Sequence, residues 1–129
     1  MFEKLEVFQM AGAMAKHAAA RQALIAENVA QADTPGYKAR DIAPFSETYE
    51  NRSDPLPMRA TRKGHITDAG LPQYRVIETS GEGSESPNGN SVSLETEMMK
   101  SAFVRQEHDM ALAIYKSALG VLRSSLGRR

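Results

Sequence analysis

The sequence contains no cysteine and no tryptophan. Without cysteine a disulfide framework and a thiolate zinc site are both excluded, so the chain is indifferent to the redox state of its compartment. Aromatic residues make up only 6% of the chain, which suits helix-on-helix packing better than a sheet sandwich. The 16 basic and 16 acidic side chains leave no net charge and no long-range field to attract nucleic acid or an anionic membrane, so neither is expected as a partner.

Long apolar runs are also missing from the sequence. No stretch approaches the roughly 18–20 apolar residues that a membrane-spanning helix needs. The N-terminus carries Glu3 and Glu6 among its apolar residues, and it lacks the basic-then-apolar layout and cleavage site of a secretory signal. If the protein leaves the cytosol, we therefore expect export without a cleaved signal peptide.

Composition divides the chain into an N-terminal helix in residues 1–34, a middle loop and strand region in residues 35–90, and a C-terminal helix in residues 91–129. The middle region, with Asp33 and Thr34 just before it, holds all six prolines and most of the glycines. Within it Gln73–Thr79 has the pattern of a short strand, and Met58–Ile66 has a weaker one. The predicted fold class is mainly α, with two long helices packed as a coiled coil.

The N-terminal helix is predicted from about Lys4 to Ala32, where there is no proline and only one glycine. Its first apolar row repeats every seven residues and consists of Leu5, Gly12, Ala19 and Ala26, with Phe8, Ala15 and Val29 between them. We interpret this row as a coiled-coil-like seam of small residues. A second row lies beside it and consists of Val7, Ala11, Met14, Ala18 and Ile25.

The C-terminal helix is predicted from an N-cap at Ser93 to about Leu126, with Gly127 placed for a left-handed cap. Glu95 and Glu97 in its first turn suit the helix dipole. One seven-residue row holds Val104, Ala111 and Ala118, flanked by His108, Tyr115 and Leu122, and further apolar rows widen it on both sides. A helix that is apolar on most of its circumference is expected to be buried on several sides.

Helix length then predicts assembly. The two helices would be roughly 43 and 50 Å long, whereas a compact chain of this size has a diameter of only about 36 Å. Two helices cover one face of each other, so the remaining apolar surface needs other subunits. The residues predicted to form the assembly interface are Leu5, Phe8, Met14, Phe103, Met110, Ile114, Val121 and Leu122.

The end of the first helix reads AENVAQADTPGYKARD. Pro35 and Gly36 suit the second and third positions of a type II turn. The string closely resembles the signature that follows the first helix of flagellar axial proteins, the rod, hook and hook-associated family. The matching positions are Asn28, Ala30, Ala32, Asp33, Thr34, Pro35, Gly36 and Tyr37, and Gln31 stands where that family usually has asparagine. The last 40 residues are similar to the same family, and to its proximal-rod members in particular.

This resemblance implies a structural subunit of the bacterial flagellar rod that assembles through its terminal helices into a torque-transmitting shaft with an export channel. It implies a periplasmic rod location after type III export, with copies of the chain, FliE, FlgC and further rod subunits as partners. It also implies an export-gate recognition motif, for which Phe45 and Tyr49 are the candidates. The alternative for Phe45 is that it anchors the loop onto a helix.

Catalytic, cofactor and metal sites are not predicted, and neither is a small-molecule substrate. His17, His65 and His108 are widely spaced, and none has ligands at helical or turn spacing that would form a metal set. No nucleophile and base pair is recognisable, so a small hydrolase is disfavoured. The basic cluster of Arg59, Arg62, Lys63 and His65 is interpreted as a solvated loop. The alternative to a rod subunit is a cytosolic helical export chaperone or adaptor, which shares the apolar stripes but leaves the turn signature unexplained.

Overall fold

The computed structural model of the protein describes residues 2–50, 74–79 and 85–127, with side chains from residue 6 onward. The elements in chain order are α1 (Phe2–Ala30), β1 (Arg40–Ile42), α2 (Phe45–Glu50), β2 (Val76–Glu78) and α3 (Leu94–Ser125). The predicted fold class is confirmed, since two long terminal helices pack together and a small two-stranded sheet lies between them in sequence. The weaker strand prediction at Met58–Ile66 lies outside the described residues.

The two long helices run antiparallel, as three contacts along their length establish. Near one end the rings of Phe8 and Tyr115 meet edge to face with centroids 5.2 Å apart. Further along, the Gln22 side chain donates to Ser101 Oγ at 2.9 Å. At the other end the Asn28 amide donates to the Glu97 carboxylate at 3.0 Å, so the end of α1 lies beside the start of α3.

The buried seam between α1 and α3 has a seven-residue repeat on both helices. On α3 it contains Val104 and Ala111, as predicted. On α1 it contains Ala11, Ala18 and Ile25, which belong to the second apolar row. The prediction that the first row forms this seam is therefore wrong.

Both α1 rows are apolar and lie one residue apart, so hydrophobic periodicity alone does not choose between them. Polar contacts decide the choice, because Asn28 lies one turn beyond Ile25 and bonds to α3 and to the loop. That contact turns the Ala11 row toward α3 and leaves Ala19 and Ala26 exposed.

The predicted ends of α3 are confirmed. The Ser93 side chain accepts a hydrogen bond from the Thr96 amide at 3.5 Å and caps the first turn. At the other end Gly127 has a positive φ of 84°, the conformation expected of a glycine just past a helix.

The small sheet joins two segments of the middle region. β1 pairs antiparallel with β2, with Arg40 opposite Glu78 and Ile42 opposite Val76. β2 lies within the predicted Gln73–Thr79 strand, but neither β1 nor α2 was predicted. β1 has only three residues and two of them are charged, while α2 spans fewer than two full turns, so neither produces a periodic signal. Among the described helices, none has the length and apolar character to cross a membrane.

Candidate functional site at the junction of the two long helices

A tight turn redirects the chain immediately after α1. The Tyr37 amide donates to the Thr34 carbonyl at 3.3 Å, and Gly36, the third residue of that turn, has φ 71°. Only glycine adopts this left-handed conformation without a steric cost. The turn predicted from Pro35 and Gly36 is therefore present, and it sends the chain back along α1.

Asn90, at the C-terminal end of the middle region, bonds to the turn that follows α1. Its side-chain amide lies 2.8–2.9 Å from the carbonyl oxygens of Gln31, Ala32 and Thr34. Its own oxygen accepts from the Val92 amide at 2.8 Å. These carbonyls belong to the turn that follows α1, so this buried asparagine holds the segment before α3 against that turn.

Asn28 lies at the centre of the junction and is completely buried. Its amide nitrogen donates to the Arg40 carbonyl at 2.7 Å and to Glu97 Oε2 at 3.0 Å. Its oxygen accepts from the Arg40 amide at 3.1 Å and from the Tyr37 hydroxyl at 3.2 Å. Every hydrogen-bonding position of the side chain is thus used to join α1, the turn, β1 and α3.

Glu97 is the acidic member of this junction and is only 2% exposed. Besides the Asn28 amide, its carboxylate contacts Lys100 Nζ at 3.0 Å. Lys100 Nζ also lies 3.7 Å from Asp41 Oδ2. A buried carboxylate needs such partners, so the role expected for Glu97, a negative charge that suits the helix dipole, is only part of what it does.

Arg21 and Asp41 form a second, partly buried ion pair that ties α1 to β1. The guanidinium donates to both carboxylate oxygens, at 2.8 and 2.9 Å. Burial alone would raise the pKa of Asp41, but hydrogen bonds from Arg21 and from the Ile42 amide, with the charges of Arg21 and Lys100, bring that pKa below its ordinary value. The carboxylate is therefore ionised at neutral pH.

The Asp41→Asn substitution is expected to lower the free energy of unfolding at pH 7 by roughly 2–3 kcal/mol, because Arg21 loses its charged partner. Since the pKa of Asp41 in the folded state lies below its unfolded value of about 3.9, ionisation stabilises the fold above about pH 4. That contribution disappears as the pH falls through the folded-state pKa. The gap between wild type and variant should therefore shrink in acid, as urea unfolding at pH 7 and about pH 3 would measure.

The matched control for this substitution is Glu85→Gln. Glu85 pairs with Lys38 at the surface, where both side chains are well exposed, so its loss is expected to cost less than about 1 kcal/mol at either pH. A destabilisation of the Asp41 variant that stays equally large at pH 3 would contradict the ionised pair as its cause.

The predicted signature residues divide into two groups. Asn28 and Tyr37 point into the junction, whereas the others are exposed or half-buried around the turn. These others are Ala30, Ala32, Asp33, Thr34, Pro35 and Gly36. The inward pair and the conformation of Gly36 together give the signature a clear role within one chain, which is to bring the end of α1, β1 and the start of α3 to one point.

Phe45 and Tyr49, the candidate export-gate pair, lie on one face of α2. Their ring centroids are 5.4 Å apart, and Phe45 also meets the His17 ring at 5.6 Å. His17 is buried, and its Nε2 donates to the Ala43 carbonyl at 2.8 Å. Phe45 therefore anchors the loop onto α1, as the alternative interpretation expected. The export-gate role itself stays a prediction.

The predicted assembly residues are spread along both helices. Phe103, Met110 and Val121 on α3 are exposed, with 61%, 49% and 48% of their surface accessible. Phe8, Met14, Ile114 and Leu122 are half-buried, and Phe8 meets Tyr115 across the two helices. The side chain of Leu5 lies outside the described residues.

Within residues 2–50, 74–79 and 85–127, no three His, Asp or Glu side chains lie close enough together to hold a metal ion. His17 Nε2 bonds to the Ala43 carbonyl, whereas its buried Nδ1 has no hydrogen-bond partner among the described residues, and His108 is half-buried. The basic cluster with Arg59, Arg62, Lys63 and His65 lies outside the described residues.

The sequence did not indicate the contacts that Arg21, Asp41, Asn90, Glu97 and Lys100 make at the junction. A usable signal did exist for Arg21 and Glu97, because they fall at coiled-coil spacing on the same sides as the buried seam, three residues after Ala18 and seven before Val104. A charged residue on a buried row needs a partner, and the two rows meet at one end of the helix pair. No comparable signal marked Asn90, which lies in a polar connector.

The chain is similar in sequence to known flagellar proteins. No protein-family model matches the chain. The flagellar basal body rod protein FlgB of Escherichia coli (strain K12) is 30% identical over 122 residues, covering 82% of this chain and 85% of the relative. The chain belongs to the FlgB family. The flagellar basal body rod proteins FlgB of Agrobacterium fabrum and Bacillus subtilis are 27% identical over 118 residues and 32% identical over 82 residues, respectively.

All three alignments cover more than half of the chain. The Agrobacterium fabrum FlgB alignment covers 89% of this chain and 88% of the relative, and the Bacillus subtilis alignment covers 64% and 63%. The expected flagellar family is therefore confirmed. The relatives support this chain as a component of the flagellar basal-body rod. Membership in the FlgB family does not favour the alternative of a cytosolic export chaperone.

Proposed function

We propose that this FlgB-family chain is a structural, non-catalytic subunit that assembles through its terminal helices into the proximal rod of the flagellar basal body. In this role the packed helices of many subunits transmit torque as a drive shaft and enclose the export channel. The chain would reach its periplasmic position through the type III export apparatus without cleavage of a signal peptide. Residues 1–34 and 91–129 would build the helical tube, with residues 35–90 attached to it.

The observation that carries the proposal is the apolar surface that α3 leaves uncovered. Met99, Phe103, Met110 and Val121 are between 48% and 61% exposed in the single chain. Burial of apolar area is worth about 25 cal/mol per Å², so a contact that covers these side chains in a neighbour is strongly favoured. An aligned stripe of this length along one helix is typical of a surface that contacts another protein.

A shallow apolar groove adds to this surface at the end of the helix pair away from the junction. It lies between Val7 of α1 and the segment of α3 lined by Ala113, Ile114, Ser117 and Ala118. The junction closes one end of the pair with buried polar contacts, but the other end relies on contacts such as Phe8 with Tyr115. This difference supports assembly contacts that concentrate toward the chain termini.

The proposed partners are other copies of the chain, FliE, FlgC and further rod subunits, together with the export apparatus. Recognition by the export gate through Phe45 and Tyr49 belongs to the same proposal. Both rings pack against the folded chain, and Phe45 contacts His17. The gate would therefore have to bind this pair before α2 docks on α1.

The proposal is tested by following a tagged chain in cells that lack their own copy. We expect the tag to sediment with purified basal bodies and motility to be restored. A chaperone or adaptor would instead stay in the cytosolic fraction, and that result would overturn the rod proposal.

The same cell fractionation, applied to a Phe45→Ala variant, tests the export-gate role. If the export gate recognises Phe45, the variant accumulates in the cytosol while its purified form still folds. The control is Tyr74→Phe, because Tyr74 also contacts the His17 ring, with ring centroids 5.3 Å apart, and lies outside the candidate motif. Normal secretion of the Phe45 variant would remove the gate role and leave Phe45 as an anchor.

A further inference from the structure

One face of α1 consists of small residues and takes no part in the seam with α3. It runs at helical spacing of three and four residues, and we call it the small-residue face. Its members are Gly12, Ala15, Ala19, Ala23, Ala26 and Ala30. From Ala19 onward they are exposed, and a β-carbon added at Gly12 would meet nothing within 4 Å. Another helix could approach this face closely.

A second feature, on α3, has the opposite character. We call it the large-residue stripe, and it consists of Met99, Phe103, Met110, Ile114 and Val121 at alternating spacings of four and seven residues. Four of the five are exposed, and Ile114 is half-buried. The four exposed side chains have between 48% and 61% of their surface accessible, whereas Ile114 lines the groove beside Val7.

Helix geometry places the two features on opposite sides of the helix pair. Successive residues turn about 100° around a helix. Ala19 follows the buried Ala18 by one residue, whereas Phe103 precedes the buried Val104 by one. The helices are antiparallel, so one residue toward the C-terminus of α1 and one residue toward the N-terminus of α3 turn the side-chain direction the same way, as seen from one end of the pair. The buried rows of the two helices face each other. Equal turns away from these rows therefore place the two features on opposite sides of the pair.

Charge at the edge of the two features is complementary as well. Lys16 lies beside the small-residue face and is exposed, and Glu107 lies one turn beyond Phe103 beside the stripe. Within the described residues neither forms an ion pair, although the Glu107 charge also acts on the nearby Arg21 guanidinium of its own chain. The contacts of Phe8 with Tyr115 and of Gln22 with Ser101 set Lys16 and Glu107 at about the same height along the pair. A copy docked at equal height would bring them together.

We propose that the occupant of the large-residue stripe is the small-residue face of a second copy of this chain. Large side chains on one copy fill the space over alanines and glycine on the next, and Lys16 of one copy pairs with Glu107 of the other. Because the two contact faces differ and lie on opposite sides, the contact is heterologous and leaves both outer faces free to bind again. Such contacts build a ring where the rotation between copies closes and an open helical filament where it does not. This inference rests on the proposed rod function and specifies its interface.

The absence of cysteine from the chain permits a direct test by cross-linking. Lys16→Cys and Glu107→Cys change only the edge of the contact and leave its apolar centre intact. Two tagged copies, each with one of these substitutions, are expressed together in cells that lack their own copy. Their basal bodies are then isolated and oxidised. A disulfide requires Cα atoms within roughly 4.4–6.8 Å, so a short thiol cross-linker is used in parallel.

The expected product is a dimer that carries both tags, with none from either substitution alone. A chain with both substitutions should give a ladder of oligomers, because Lys16 points away from α3 and cannot reach Glu107 of its own chain. The matched control pairs Lys16→Cys with Arg105→Cys, which lies two residues from Glu107 on another side of α3, and no cross-link is expected.

Two results would overturn the proposed interface. One is a cross-link between two Lys16→Cys copies or two Glu107→Cys copies, which indicates like-with-like contact. The other is no cross-link at all in basal bodies that contain both tagged copies. The tags distinguish a wrong interface from a wrong rod function. If the rod function is wrong, the tagged chains are absent from the basal-body fraction, whether or not they cross-link.

Discussion

Replacing Phe103 by aspartate is expected to leave a folded, exportable chain that cannot enter the rod. Phe103 is 61% exposed in the single chain, so the substitution should change the free energy of unfolding by no more than about 0.5 kcal/mol. In an assembled rod the same side chain would be covered by a neighbour. A buried, unpaired carboxylate there costs several kcal/mol, which multiplies over every subunit contact.

The measurements for this variant are circular dichroism and urea unfolding of the purified chain, then motility and basal-body content in cells. Motility is expected to be lost while the unfolding midpoint stays near that of wild type. Arg105→Asp is the matched control, since it introduces the same side chain two residues away on an already charged, exposed part of α3. Full motility of the Phe103 variant would count against assembly through the large-residue stripe.

Val104→Asp marks the contrast within the same turn of helix. Val104 is 1% exposed and belongs to the seam with α1, so a carboxylate there should prevent the two helices from packing. Neighbouring residues on one helix thus separate the contact within a chain from the contact between chains. Periodicity alone did not make that separation, because apolar residues occupy both rows.

The long helices were predictable because length, helix formers and end signals all agreed. Ser93 and Gly127 mark the ends of α3 by local chemistry that needs no tertiary contact. Pro35 and Gly36 marked the turn for the same reason. Each of these features depends on a few residues close in sequence, and each was located to within about two residues.

The junction was less predictable because its partners are far apart in sequence. Asn28 bonds to Glu97, and Asn90 bonds to carbonyls of the turn that follows α1. Neither contact follows from local pattern, since a polar residue near a helix end is usually solvated. The resemblance to flagellar axial proteins singled out Asn28 and Tyr37 without giving their role. Their hydrogen bonds supply it, because they fix the angle at which the chain leaves α1.

Substitution of Asn28 by alanine tests its role in fixing the angle at which the chain leaves α1. The variant loses bonds to Arg40, Tyr37 and Glu97 at once. It leaves the buried Glu97 carboxylate with Lys100 as its remaining side-chain partner. Unsatisfied buried groups cost about 1–3 kcal/mol each, so we expect a loss of roughly 3–4 kcal/mol in the free energy of unfolding. Gln22→Ala, which removes an exposed bond between the same helices, should cost less than about 1 kcal/mol.

A double-mutant cycle with Glu97→Gln shows whether the junction acts as a unit. If the Asn28 and Glu97 side chains stabilise each other directly, the two substitutions together cost less than the sum of each alone, by roughly 1–2 kcal/mol. Hydrogen exchange of the Arg40 and Ile42 amides gives a second measurement, since these amides bond to Asn28 and Asp41 side chains. Additive costs with unchanged exchange at β1 would mean that Asn28 stabilises α1 alone and does not join the two helices.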